Sequence, residues 1–187
     1  MRRLLPDPGP TTVEEQLDSY RPWEHPPDDR PYVAMNFAAT VDGRAAIEGR
    51  SGPIGSEVDT AMLVALRARF DAVMIGAGTM RAERYGGIGK RLVVVESGPE
   101  GQVDLPALLR SLHEEGVRAL LCEGGPTLHG SLQAAGLVDE LFLTIAPKLA
   151  GGGAPRILEG DLTAVTPLEL AWLLEEDGEL FARYRRR

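Results

Sequence analysis

The chain has 187 residues, 43% of them hydrophobic and 26% charged, with a formal net charge of −8. At that length a single core can remove roughly 70% of the unfolded surface from water, which excludes a disulfide-stapled miniprotein and leaves room for an enclosed ligand site. The acidic balance argues against a surface that coats nucleic acid, and the terminal Arg183, Arg185, Arg186 and Arg187 read as a solvated basic tail. No apolar run approaches the ~20 residues needed to cross a bilayer. Met1-Arg2-Arg3-Leu4-Leu5 is cut off by Pro6-Asp7-Pro8-Gly9-Pro10 before a signal-peptide core develops, so a cytoplasmic location is expected. The single Cys122 follows Ala119-Leu120-Leu121, a buried-strand pattern, and reads as an inert core thiol.

Residues 1–30 are proline-rich and poor in aliphatics, which predicts an arm that supplies no regular core element, ahead of a single domain over 31–187. Tyr32 to Thr40 reads as an apolar strand with Asn36 as its polar intruder, turned by Asp42-Gly43. Ser56-Glu57-Val58-Asp59 resembles a capping box and opens a helix to about Phe70. Asp71 to Ile75 is a buried strand ending in Gly76-Ala77-Gly78-Thr79, and Arg91 to Glu96 is another strand. Asp104 caps a helix from Leu105 to Glu115. Ala119 to Glu123 is a strand broken by Gly124-Gly125, followed by a helix from Pro126 to Ala135 and a strand from Glu140 to Ala146. Strands alternating with helices imply a largely parallel sheet covered on both faces. Leu168 to Leu174 and Glu179 to Tyr184 flank Asp177-Gly178, a hairpin signal, so the sheet should finish antiparallel.

Two strand ends run through glycines into helix starts, Gly76-Ala77-Gly78-Thr79 and Glu123-Gly124-Gly125-Pro126-Thr127. At the carboxyl edge of an α/β sheet such loops either hold an anionic pyrophosphate on backbone N–H groups or merely turn the chain. Arg81 stands where a dinucleotide fingerprint would place its third glycine, which disfavours a standard Rossmann site. Asp42 either binds a ligand or fixes its own turn. Gly151-Gly152-Gly153 is either a cover near a ligand or a plain loop. His25, His113 and His129 stand apart with no partners at ligand spacing, so no metal site is expected.

Six ordered motifs carry a family resemblance. They are Pro31-Tyr32-Val33 with Ala38-Ala39-Thr40-Val41-Asp42-Gly43-Arg44, then Leu66-Arg67-Ala68, Asp71 through Thr79, Glu123 through Leu128, Leu137-Val138-Asp139-Glu140-Leu141 and Ile145-Ala146-Pro147. Together, from residue 31 to about 184, they resemble the reductase domain of bifunctional riboflavin-biosynthesis proteins, within the dihydrofolate-reductase-like superfamily. The resemblance implies a three-layer α/β fold with a mixed, mostly parallel central sheet flanked by helices, a C-terminal antiparallel hairpin and a homodimer. It implies NADPH-dependent reduction of a ribosylaminopyrimidine phosphate, ribose to ribityl. A pterin reductase on the same scaffold and a non-catalytic nucleotide-binding module are the alternatives. For the cofactor it points to Ala38, Gly76, Gly78, Thr79, Met80 and Glu83 from the first half, and to Gly124, Gly125, Pro126 and Thr127 from the second. For the substrate it points to Ser51, Arg67 and Glu123, to which Asn36 and Asp42 on and after the first strand are added as candidates, and Glu123 is our choice of proton donor from its residue type and position. Arg67 suits a 5′-phosphate, against which stands a plain helix-end ion pair. Arg81, Arg84 and Lys90 could neutralise the 2′-phosphate that distinguishes NADPH.

The chain departs from this family at three places. Asn36 stands where the bifunctional bacterial enzymes have a lysine, which resembles the archaeal and stand-alone forms, and Glu83 stands where an aspartate is usual. The family also carries a further strand and helix between the Tyr85 region and the helix at Leu105. The 15 residues between Ile75 and Arg91 barely allow a parallel crossover. This predicts residues missing between about Gly86 and Arg91, with Arg91 to Glu96 as the last strand of that insert.

Overall fold

The computed structural model describes residues 1–83, 88–96, 103–162 and 164–187. Its elements begin with β1 (Arg2–Leu5), β2 (Gly9–Pro10), α1 (Val13–Leu17), a 3-10 turn at Pro22–Glu24 and β3 (Tyr32–Thr40). There follow α2 (Glu57–Ala68), β4 (Ala72–Gly76), α3 (Ala77–Glu83), β5 (Arg91–Val95), α4 (Leu105–Glu114), β6 (Ala119–Cys122), α5 (Pro126–Ala134), β7 (Glu140–Ala146), β8 (Leu168–Glu176) and β9 (Glu179–Arg186).

The nine strands of the described residues form one sheet in the order β2-β1-β8-β9-β7-β3-β6-β4-β5. β3 pairs in parallel with β6 and β7, and β4 in parallel with β5 and β6. The half containing β7–β9, β8–β9 and β1–β8 is antiparallel. The mixed sheet and its terminal hairpin are as the sequence implies. Alternation along β3 sends Val33, Met35 and Phe37 to one face, against Leu105, Leu109 and Leu112 of α4 and Leu128 and Leu132 of α5. Ala34 turns to the other face, where Leu17 of α1 and Met62 and Leu66 of α2 pack with Phe70, Phe142, Trp172 and Phe181. β6 is buried at every position because a parallel strand covered on both faces has no solvent side. Ser56 caps α2 by accepting from the Val58 and Asp59 N–H groups at 3.1 and 3.2 Å. Asp104 caps α4 through the Ala107 N–H at 2.9 Å.

Three expectations are corrected. The first 30 residues do supply core elements: β1 joins the sheet beside β8, and Val13, Leu17 and Tyr20 are buried. The signal was the amphipathic Val13-Glu14-Glu15-Gln16-Leu17, closed into a helix by a Thr12–Glu15 capping box that the surrounding prolines mask. The terminal arginines are not a free tail. Arg183, Arg185 and Arg186 lie in β9, where Arg183 and Arg185 bond to Glu140 and Arg186 donates to the Gly136 carbonyl at 2.5 Å, and the Arg187 N–H after it donates to the Pro167 carbonyl at 3.3 Å. Nor is β5 the last strand of an insert. It pairs directly with β4, Ala72 opposite Arg91 through Gly76 opposite Val95, and the sequence runs unbroken up to it. Gly86 and Gly87, where the missing stretch was expected to begin, lie outside the described residues.

Candidate active site

The carboxyl ends of β3, β4 and β6 open into a cavity of about 1010 Å³. The two glycine stretches meet there: the Gly76 N–H donates to the Gly124 carbonyl at 2.7 Å, and the Glu123 N–H to the Met74 carbonyl at 3.0 Å. Gly124 has φ +101°, and a Cβ on it would stand 3.3 Å from the Phe37 ring, so this position requires glycine on two counts. A Cβ on Gly125 would sit 3.0 Å from Thr79 Oγ1, closing the gap between the loops. Gly78 differs. It lies inside α3, since the helix begins at Ala77, and a Cβ there meets nothing within 4 Å. Gly125 caps α5 without a side-chain hydrogen bond, and Pro126 and Thr127 line the cavity, so first-turn N–H groups of α5 are available to an anion.

Carboxyl groups shape the opposite wall. Glu123 lines the cavity, its side chain 3% exposed. Both of its oxygens accept from Arg67, Oε1 from Nε at 2.7 Å and Oε2 from a terminal nitrogen at 2.6 Å. That is the geometry of an accepting carboxylate rather than of a proton donor. Asp59, in the first turn of α2, also lines the cavity, and burial raises its pKa against a smaller opposing effect of the Thr144 hydroxyl. The Asp59 carboxyl folds back over Gly55, where a Cβ would fall 2.1 Å from Oδ2. Ser51 and Glu83 meet at the rim, the Ser51 N–H donating to Glu83 Oε1 at 2.6 Å.

Residues 31–91 and 87–176 match the RibD C-terminal domain family. The chain belongs to that family. The 2,5-diamino-6-ribosylamino-4(3H)-pyrimidinone 5′-phosphate reductase of Methanothermobacter thermautotrophicus is 31% identical over 181 residues, covering 69% of this chain and 83% of the relative. A pyrimidine reductase-like protein of Corynebacterium diphtheriae superposes with a TM-score of 0.77 at 20% identity, covering 95% of this chain and 99% of that one. Dihydrofolate reductase of Enterococcus faecalis shares the fold at a TM-score of 0.58 and 16% identity, over 83% and 96% of the two chains. The two matched stretches meet at residues 87–91, where this RibD-type domain runs from α3 to β5 with few residues.

Within the RibD-type cavity the structure brings together Asn36, Ala38, Ser51, Gly76, Gly78, Thr79, Glu83, Glu123, Gly125, Pro126 and Thr127. Gly124, Met80, Arg67 and Asp42 are not among its lining residues. Arg67 stands behind Glu123, so the helix-end ion pair anticipated as its alternative role is present. Asp42 fixes its turn. It accepts from the Thr40 hydroxyl at 2.6 Å and from the Ala150 and Gly151 N–H groups at 3.1 and 2.8 Å, which hold its pKa down at about 2. Those bonds give Gly151-Gly152-Gly153 its job as a loop tied to β3. His129 is a core residue stacked on Phe37 at 5.1 Å, with Nδ1 2.7 Å from the Ile157 carbonyl. Burial pushes the Cys122 thiol up to about 12. Arg81 lines the cavity near Glu96 at 3.7 Å, Lys90 does not line it, and Arg84 lies outside the described residues. Asp59 went unread as a site residue because its place after Ser56 already explained it as helix-start chemistry. The available signal was its position one turn before Leu63, on the helix face that reaches the cavity.

Proposed function

We propose that this protein is a reductase of a 2,5-diamino-6-ribosylamino-4(3H)-pyrimidinone 5′-phosphate-type substrate in riboflavin biosynthesis. The reading rests on family membership and is carried by one observation: a single cavity joins the stitched glycine loops to two chemically different carboxyl groups. Reductases of this family take their electrons from a nicotinamide cofactor, and NADPH is our choice between the two forms because Arg81 stands at the cavity wall. The residues fit such a group, since the gap between Gly125 and Thr79 is one that a single Cβ would fill. When bound, the cofactor supplies a hydride.

Gly125, Pro126 and Thr127 would hold its pyrophosphate on the N-terminus of α5, with Thr79 and Ala38 at its flanks. Glu123, oriented by Arg67, would accept from pyrimidine N–H groups. Conversion of ribose to ribityl places one hydride on the sugar C1′ and one proton on the ring oxygen that C1′ releases. Asp59, whose pKa burial raises, is the carboxyl we assign to that proton, in place of Glu123. The homodimer implied by the resemblance is part of the proposal and is read by light scattering.

The test is NADPH oxidation followed by absorbance, with the ribosylaminopyrimidine phosphate and dihydrofolate as substrates and NADH in place of NADPH. Turnover of the pyrimidine alone is expected, with NADPH bound more tightly. Dihydrofolate turnover would move the protein to the pterin reductases, which also need an acidic group in the pocket. Binding without any turnover would make it a nucleotide-binding module.

A further inference from the structure

Glu179 opens β9 immediately after the Asp177-Gly178 turn, and it is a carboxyl group only 4% exposed that the chemistry above does not use. Its surroundings tie it to the site. The Ser56 hydroxyl donates to Glu179 Oε2, while Ser56 Oγ itself accepts the Val58 and Asp59 N–H groups. The first turn of α2, which carries Asp59, is therefore pinned to β9 through one hydroxyl. Other groups face the pair from each neighbouring element. Thr144 on β7 hydrogen-bonds Asp59. The Lys148 ammonium, anchored on the Pro53 and Ile54 carbonyls at 2.8 and 2.7 Å, is the cation near Glu179. Glu176, across the hairpin, is taken by the N-terminal amine at 2.7 Å.

We infer that Glu179 is a positioning residue for Asp59, clamping the first turn of α2 through Ser56 and keeping the Asp59 carboxyl in its proton-bearing form. Two carboxyl groups whose charges repel do not both ionise readily, and their titrations are coupled. Burial raises the pKa of Glu179 first, and the nearby Asp59 charge adds to the rise, opposed by Ser56 and by Lys148. The repulsion belongs to the pair and holds back the second of its two protons to leave, whichever carboxyl bears it. The inference rests on the reading of Asp59 as proton donor, and the experiment separates the two.

Glu179→Gln keeps an amide oxygen for Ser56 and removes the charge. The alkaline limb of kcat should move down by about one pH unit with KM little changed. The carboxyl 13C resonance of Asp59, assigned by its loss in Asp59→Asn and titrated without substrate, should move by the same amount. A limb and a resonance that both stay at their wild-type midpoints would overturn the inference. Full turnover with an intact alkaline limb in Asp59→Asn would overturn the donor reading instead, and the resonance would still decide the role of Glu179. If Glu179→Gln does not fold, Ser56→Ala leaves both carboxyls in place and must lower kcat several-fold with the limb unmoved. Unchanged kcat there would sink the clamp.

Discussion

Glu123 and Glu140 are both carboxylates buried to within a few per cent, and both are held by arginine, yet one follows the end of a parallel strand and the other opens one, and they have opposite uses. Glu140 opens β7, at the seam where that parallel strand meets the antiparallel β9, and takes the Tyr20 hydroxyl at 2.7 Å, two N–H groups of Arg183 and one of Arg185 at 3.2 Å. Aromatic rings close it in, with the Arg183 guanidinium 4.5 Å from the Tyr20 ring and 5.8 Å from that of Phe142. Glu123 lies in the parallel half and keeps one side on the cavity. Burial and an arginine partner therefore do not mark a functional carboxylate. What separates the two is an open face at the carboxyl ends of parallel strands, where a ligand can reach the group.

The comparison breaks most visibly at Arg183. Arg183→Ala strands a buried charge among aromatic rings and should cost about 3–5 kcal/mol of stability in chemical denaturation, with kcat/KM of the folded fraction unchanged. A loss of activity at full stability would mean that the Glu140 cluster belongs to the site.

Arg67→Ala is the matching change at the other pair. Water in the cavity can resolvate Glu123, so the stability cost should be smaller than at Arg183. The loss should appear instead as about 1.5–3 kcal/mol in kcat/KM, through misplacement of Glu123, with NADPH affinity nearly unchanged. Equal damage to stability at both arginines would erase the distinction.

The parallel half was legible in the sequence because its signals are local. Apolar runs bounded by glycine and proline gave β3, β4, β6 and β7, and caps gave α2 and α4 within a residue or two. The antiparallel half was legible only at its hairpin. The partner of β8 is β1, more than 160 residues earlier, and no local pattern announces a pairing at that separation. The basic end of the chain misled for the same reason, since Arg183 is explained by Tyr20 and Glu140, neither of them near it in sequence. In the site, residues on glycine loops were found and Asp59 was not. A side chain that also satisfies a helix start offers no surplus signal until the fold shows what its other side faces.

Gly55 tests how finely Asp59 is placed. A Cβ there would stand 2.1 Å from Asp59 Oδ2 and 2.7 Å from Asp59 Cβ, so Gly55→Ala must shift the start of α2 as well as displace the carboxyl, and should lower the melting temperature while the protein still folds. A fall in kcat of about tenfold, near 1.4 kcal/mol, is expected. Wild-type turnover in this variant would show that the carboxyl can be moved without consequence.

The smallest expected effect separates Asp59 from Asp42 by pH. Burial raises the pKa of Asp59, so its contribution to stability is fully present below the ordinary carboxylate range, about 4, and is lost as pH rises through the higher folded value. Asp59→Asn removes that loss, and the variant should match the wild type in acid and become the more stable of the two as pH approaches neutrality. Asp42 runs the other way. The Thr40 hydroxyl first, then the Ala150 and Gly151 N–H groups, hold its pKa at about 2, so its contribution is present above the ordinary range and is lost as pH falls toward 2. Asp42→Asn should therefore be destabilised at neutral pH and converge on the wild type in acid. Thermal melts of both variants from pH 3 to 8 give two difference curves of opposite sign. A flat curve for Asp59→Asn would mean that its carboxyl ionises freely in the folded protein, and with it would go the reason for assigning that group the proton.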